Sequence, residues 1–153
     1  MPYGLPDRFP TDDNPLFITS NDFNDGKSDP VKANYWNDTI SMLLGNGNRT
    51  SPNQTTYSAG IIVDDFNNNT KLDLAIVNNE DNTVSILLGN GDRTFQNQTT
   101  CTTVCIPQCM TISDFNNDST IDLAVTDYNN QIVNVLLGQG LEHFQHTTHV
   151  RMV

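Results

Sequence analysis

Positive charge is the scarcest property of this chain: seven lysines and arginines face eighteen aspartates and glutamates, a net charge of −11 over 153 residues. That balance excludes charge-driven binding to nucleic acid or to an anionic membrane surface. Long apolar runs are missing as well. None approaches the roughly eighteen residues of a membrane-spanning helix, and Met1-Pro-Tyr-Gly-Leu-Pro-Asp-Arg has neither the basic start nor the apolar core of a signal peptide. Helical periodicity is absent, so nothing competes with short strands. There is one tryptophan, Trp36, and there are three histidines, His143, His146 and His149, clustered near the end of the chain. No Ser-His-Asp set or paired-glutamate constellation is legible, so the chain does not read as an enzyme. Cys101, Cys105 and Cys109 form an odd set at four-residue spacing without the paired pattern of a zinc site, and their disulfide state stays open.

What the chain has is repetition. Asp114-Phe-Asn-Asn-Asp118-Ser-Thr-Ile-Asp122-Leu-Ala-Val125 is an acidic loop running into an apolar strand. Oxygen side chains at loop positions one, three, five and nine (Asp114, Asn116, Asp118, Asp122) let a short loop curl around one hard cation, which takes six to eight oxygens. Asp65-Phe-Asn67-Asn-Asn69-Thr-Lys-Leu-Asp73 repeats the element 49 residues earlier, and Asp22-Phe-Asn24-Asp25-Gly26-Lys-Ser-Asp29 repeats it, one residue short, 43 before that. Eight of the eighteen acids lie in these loops, and three bound divalent cations, each adding two charges, would bring −11 to −5.

Each unit offers four short strands, in the second unit at 61–64, 72–77, 83–88 and 94–100. Period two places Leu72, Leu74 and Ile76 on one face and Asp73, Ala75 and Val77 on the other, mostly apolar on both, as in a strand covered on each side. The third strand ends in Gly89-Asn90-Gly91, which suggests a tight Asn-Gly hairpin, with Gly45-Asn46-Gly47 and Gly138-Gln139-Gly140 in the same place. Asp29 to Gly45, Asp73 to Gly89 and Asp122 to Gly138 are each 16 residues apart, which marks the constant core of the unit. The last strands, 49–56, 93–100 and 142–149, are threonine-rich and polar and suit an exposed edge. Residues 1–15, with Pro2, Pro6, Pro10 and Pro15, read as an irregular leader, followed by units at 16–57, 58–100 and 101–150.

The run from Asp65-Phe-Asn through Asp73-Leu-Ala-Ile-Val-Asn to Leu-Leu-Gly-Asn-Gly-Asp92-Arg-Thr-Phe95 resembles an FG-GAP/VCBS-type repeat, the unit of integrin alpha-chain β-propellers, over about residues 16 to 150. The resemblance implies an all-β protein of three four-stranded propeller blades, forming a partial or open propeller, with calcium in the loop between first and second strands. It implies as ligands Asp114, Asn116, Asp118 and Asp122 with the carbonyl of Thr120, and Asp65, Asn67, Asn69 and Asp73 with the carbonyl of Lys71. In the shortened first loop it implies Asp22, Asn24, Asp25 and Asp29. Thr70 and Ser119 stand where the family favours glycine, a strain of about 1–2 kcal/mol at positive φ. The expected affinity is therefore weak, on the order of 10⁻⁴–10⁻³ M.

The implied function is extracellular or cell-surface recognition or adhesion, with a protein or glycan as partner. Asn-x-Ser/Thr sequons at Asn37, Asn48, Asn53, Asn68, Asn97 and Asn117 suit that setting, although a glycan on Asn68 or Asn117 would crowd the loops. Two other readings stand beside it: a carbohydrate-binding or enzyme-associated module, with Trp36 and Tyr35 as a sugar platform, and a degenerate repeat fragment of a larger protein. Closed propellers have about four to eight blades, so three would leave flanks calling for further blades or for self-association.

Overall fold

The computed structural model describes residues 15–23, 29–34, 39–44, 47–50, 58–103, 106–140 and 144–151. Among these residues the chain is all-β and antiparallel, without helix. β1 (Pro15–Asn21), β2 (Asp29–Asn34), β3 (Thr39–Leu44) and β4 (Gly47–Thr50) make one four-stranded sheet, each strand pairing with the next in sequence. β5 (Ser58–Asp64), β6 (Asp73–Asn78), β7 (Thr83–Leu87) and β8 (Thr99–Thr102) repeat that meander. So do β9 (Pro107–Ser113), β10 (Asp122–Asp127), β11 (Ile132–Gly138) and β12 (Phe144–Arg151). The opening strands lie side by side, β1 against β5 and β5 against β9.

The alternation in 72–77 has its expected outcome. Leu74 and Ile76 join Ile61 and Leu87 in an apolar seam with Phe23 and Val31 of the first sheet. Ala75 and Val77, on the opposite face, join Val84, Ile86 and Phe66 in a second seam with Leu123, Val125 and Leu136 of the third sheet. The middle sheet is therefore covered on both sides, and every residue of β6 is buried.

The ends of the units depart from expectation. The fourth strand of the second unit is shorter and later than 94–100. Asp92 takes the Thr94 amide (3.0 Å) and hydroxyl, and Asn90 N–H donates to the Thr94 carbonyl at 2.9 Å, so the segment after Gly89 is a wide hydrogen-bonded turn. Pairing resumes only as a single bridge, Gly89 to Phe95, before β8. The two-residue Asn-Gly hairpin is not formed, and Gly91 alone of that pair takes positive φ, at 80°. Cys101 falls in β8, so the second sheet runs past the expected boundary at residue 100.

Gly89 and Gly138 are required by close approach. A Cβ on Gly89 would lie 2.1 Å from the Leu72 carbonyl oxygen, and one on Gly138 would lie 2.2 Å from that of Ile121. Only a bare backbone passes there.

Candidate functional site in the acidic loops

Each acidic loop connects the first and second strands of its sheet, and in the second and third units it is built the same way. Asp65 accepts hydrogen bonds from Asn69 N–H (2.9 Å) and Thr70 N–H (2.6 Å). Asp114 accepts from Asp118 N–H (3.0 Å) and Ser119 N–H (2.9 Å). Position three points to the same place: Asn67 Oδ1 also accepts from Asn69 N–H (3.2 Å), and Asn116 Oδ1 from Asp118 N–H (3.0 Å). The oxygens of positions one and three thus meet around the amide of position five in both loops. Position five in turn accepts from position seven, Asn69 from Lys71 N–H and Asp118 from Thr120 N–H, each at 2.8 Å. These are Asx-type turns, in which short polar side chains stand in for backbone acceptors.

The curl requires left-handed backbone at positions four and six, and both loops adopt it: Asn68 (58°) and Thr70 (66°), Asn117 (63°) and Ser119 (67°). Asparagine tolerates this conformation. A β-branched threonine does so at a cost, which agrees with the strain expected where glycine is missing.

Position nine behaves differently from the others. Asp73 and Asp122 are fully buried. Asp73 accepts from Phe66 N–H (2.9 Å) through Oδ2 and from Gly89 N–H (2.7 Å) through Oδ1. Asp122 accepts from Phe115 N–H (2.7 Å) and Gly138 N–H (2.9 Å) in the same way. The constant 16-residue interval is this clasp: one carboxylate ties the start of the loop to the end of the third strand. The spacing was visible in the sequence, but a carboxylate there has two readings, and only the geometry shows the amides it serves. Burial pushes the Asp73 carboxyl above the usual carboxylate range; its amide donors pull the other way, and the nearby Asp65 carboxylate adds to the rise. In Asp118, by contrast, the Thr120 hydroxyl, Asn116 amide and Thr120 N–H hold the carboxyl below that range.

No protein-family model matches this chain. A search of curated proteins finds no match either. The reading of the loops therefore rests on their chemistry.

In the first loop, Asp29 is buried and accepts from Phe23 N–H at 3.4 Å, a longer clasp than in its two counterparts, while Asp22 is exposed at the surface. Asn24 and Asp25 lie outside the described residues, as do Trp36, Tyr35, His143 and Cys105. Cys101 and Cys109 are unbridged; burial raises the Cys101 thiol pKa, and its side chain packs against the second seam.

Among the described residues no three of His, Cys, Asp and Glu gather as a metal-holding group. The donor sets here mix carboxylate with amide oxygen: Asp65, Asn67 and Asn69 in one loop, Asp114, Asn116 and Asp118 in the other. Each carboxylate oxygen that accepts one N–H retains acceptor capacity, so these all-oxygen sets fit a hard cation such as calcium. Beside them, a cleft of about 380 Å³ opens between Asp22 and Phe23 of the first sheet and Thr70, Lys71, Gly89 and Arg93 of the second.

Proposed function

We propose that the chain is a calcium-stabilised repeat module of β-propeller type whose role is recognition at the cell exterior, and that calcium is structural. The observation that carries the metal reading is the meeting of position-one and position-three oxygens at one amide in two independent loops. Loop three would hold calcium through Asp114, Asn116 and Asp118 with the Thr120 carbonyl, and Asp122 would back the site. Loop two would use Asp65, Asn67, Asn69 and the Lys71 carbonyl, backed by Asp73. A bound cation supplies positive charge where carboxylates face one another, and so locks the turn. Loop three, with three carboxylates, takes calcium more tightly than loop two, with two.

Support for the propeller arrangement comes from the four-stranded meanders stacked face to face with their opening strands adjacent. The exposed sequon at Asn97, ahead of the edge strand, suits an extracellular chain. Calorimetric titration of the chelator-treated protein with calcium chloride tests the metal reading. Heat of binding that is lost in the Asp65→Ala/Asp114→Ala double variant is the expected outcome. No heat, together with a melting temperature indifferent to chelator, would overturn it.

A further inference from the structure

Two seams join the three sheets, and each is closed at the loop end by an edge-on aromatic pair. Phe23 meets Phe95 at 6.2 Å and 77°, and Phe66 meets Phe144 at 6.3 Å and 79°. Phe115, which holds the place of Phe23 and Phe66 in the third loop, is 47 % exposed. The two seams differ in what stands over the pair. Phe23 and Phe95 form part of the wall of the cleft between the first and second sheets, and Lys71 and Arg93 line it with them. At the second seam the same two places, 49 residues on, hold Thr120 and Glu142. The first unit has Lys27 and Arg49 there, so this one pair of positions takes four of the seven basic residues in a chain of net charge −11.

Local backbone geometry makes room for both cations of the cleft. A Cβ on Gly91, whose φ is 80°, would stand 3.3 Å from Cγ and Cδ of Lys71, so the bare turn accommodates the lysine stem. Arg93 is itself left-handed, at 71°. Glycine adopts that conformation freely and arginine rarely, and side chains kept in such conformations cluster at ligand clamps. Asp92, the acidic neighbour of Lys71, has its carboxylate engaged by the Thr94 amide and hydroxyl. Among the described residues of the wall Asp22 is the one carboxylate, so two positive side chains face one negative. Asn90 and Thr94, bonded to each other through Nδ2 and Oγ1 at 2.8 Å, add an amide and a hydroxyl.

We propose that this cleft binds a small hydroxylated carboxylate, the chemistry of an acidic sugar residue. The planar Arg93 guanidinium matches a carboxylate in shape, and Lys71 supplies a second cation. A surplus of one positive charge suits a monovalent acid rather than a phosphate dianion. Asp22 and the Asn90 amide oxygen are acceptors for hydroxyl groups, and the half-buried Phe95 ring gives apolar contact. At about 380 Å³ the cleft lies at the lower end of small-molecule sites, which suits such a ligand better than an element of a partner protein. The proposal gives a ligand to the recognition part of the functional reading and rests on that part; it does not rest on calcium.

The test titrates chelator-treated protein, dialysed free of chelator, with sodium glucuronate, glucose and sodium sulfate in turn at constant ionic strength and pH 7, and follows binding by ligand NMR signals. Glucuronate should bind at least about tenfold more tightly than either of the others, and Lys71→Gln and Arg93→Gly should each weaken it by about tenfold or more. Neither variant endangers the fold, because Lys71 is exposed and the backbone at residue 93 favours glycine, so both should melt no more than about 2 °C below the parent. Absence of glucuronate binding overturns the proposal, as does unchanged affinity in either variant. So does sulfate that binds as tightly as glucuronate, because the cleft then reads charge alone, or glucose that does, because it then reads hydroxyls alone. A calcium titration run beside these separates the two readings: glucuronate bound by a protein that takes no calcium upholds this proposal and removes the metal reading, whereas calcium taken without glucuronate does the reverse.

Discussion

Asp65 and Asp73 belong to one loop and one motif, yet they do opposite physical work. Asp65 is partly exposed and its hydrogen bonds close a turn within five residues. Asp73 is fully buried and its bonds reach across seven and sixteen residues to Phe66 and Gly89. The third unit repeats the division with Asp114 and Asp122. Aspartates spaced for a cation therefore include one that folds the sheet whether or not a cation comes, and substitution of that residue by itself says little about metal.

The largest effect should come from breaking the clasp. Asp73→Ala leaves two amides without their acceptor, at about 1–3 kcal/mol each, and Gly89→Ala drives a methyl into the Leu72 carbonyl. Urea melts should show both losses equally in calcium and in chelator. Parental stability of Asp73→Ala in saturating calcium would erase the distinction between the two carboxylates.

Phe66→Ala should rank next, near the 3–5 kcal/mol of a buried phenylalanine, against under about 0.5 kcal/mol for Phe115→Ala. That contrast sharpens the point that identical loop positions are worth what the neighbouring sheet makes of them.

A smaller response is expected from calcium. At about ten times its dissociation constant the ion stabilises by roughly 1.4 kcal/mol per site, and each kcal/mol moves the melting temperature by about 2–4 °C for a chain of this size. Asp114→Ala should remove the larger share of that shift and leave the chelated protein nearly unchanged, while Asp65→Ala removes less. If the chelated Asp114→Ala protein melts as low as Asp73→Ala, the exposed carboxylate is structural too.

The smallest effect is in titration. Carboxyl NMR should find Asp73 above the ordinary value of about 3.9 and Asp92 below it, the latter because the Thr94 hydroxyl and amide bond its ionised form. The signs are opposite. Stability contributed by Asp73 is present below the unfolded pKa and is lost as pH rises through the raised folded value. That from Asp92 is present above the unfolded pKa and is lost as pH falls through the depressed folded value. Thr94→Val should return Asp92 toward the ordinary value and leave Asp73 where it is.

The sequence made much of the fold legible, because the period-two pattern of Leu72 to Val77 is set by burial on two faces and burial is what the pattern records. The segment 94–100 was less legible. Its threonines favour a strand, but Asp92 and Asn90 offer Thr94 local bonds that compete with ladder pairing. For the site, the curl of positions one, three and five followed from spacing. The clasp did not, since an aspartate serving amides and one serving a cation have the same letter, and the partner at Gly89 is recruited only by the meander. The Phe23–Phe95 and Phe66–Phe144 pairs were likewise visible only as repeated letters until adjacent sheets brought them together.

The meander itself has a consequence for how such a chain is made and changed. Within each sheet every strand pairs with its neighbour in sequence, so all the ladder partners within a sheet lie a few dozen residues apart or less, and a nascent chain can complete one sheet before the next has been synthesised. For the same reason a whole unit can be duplicated or deleted without unpicking a single ladder of its neighbours.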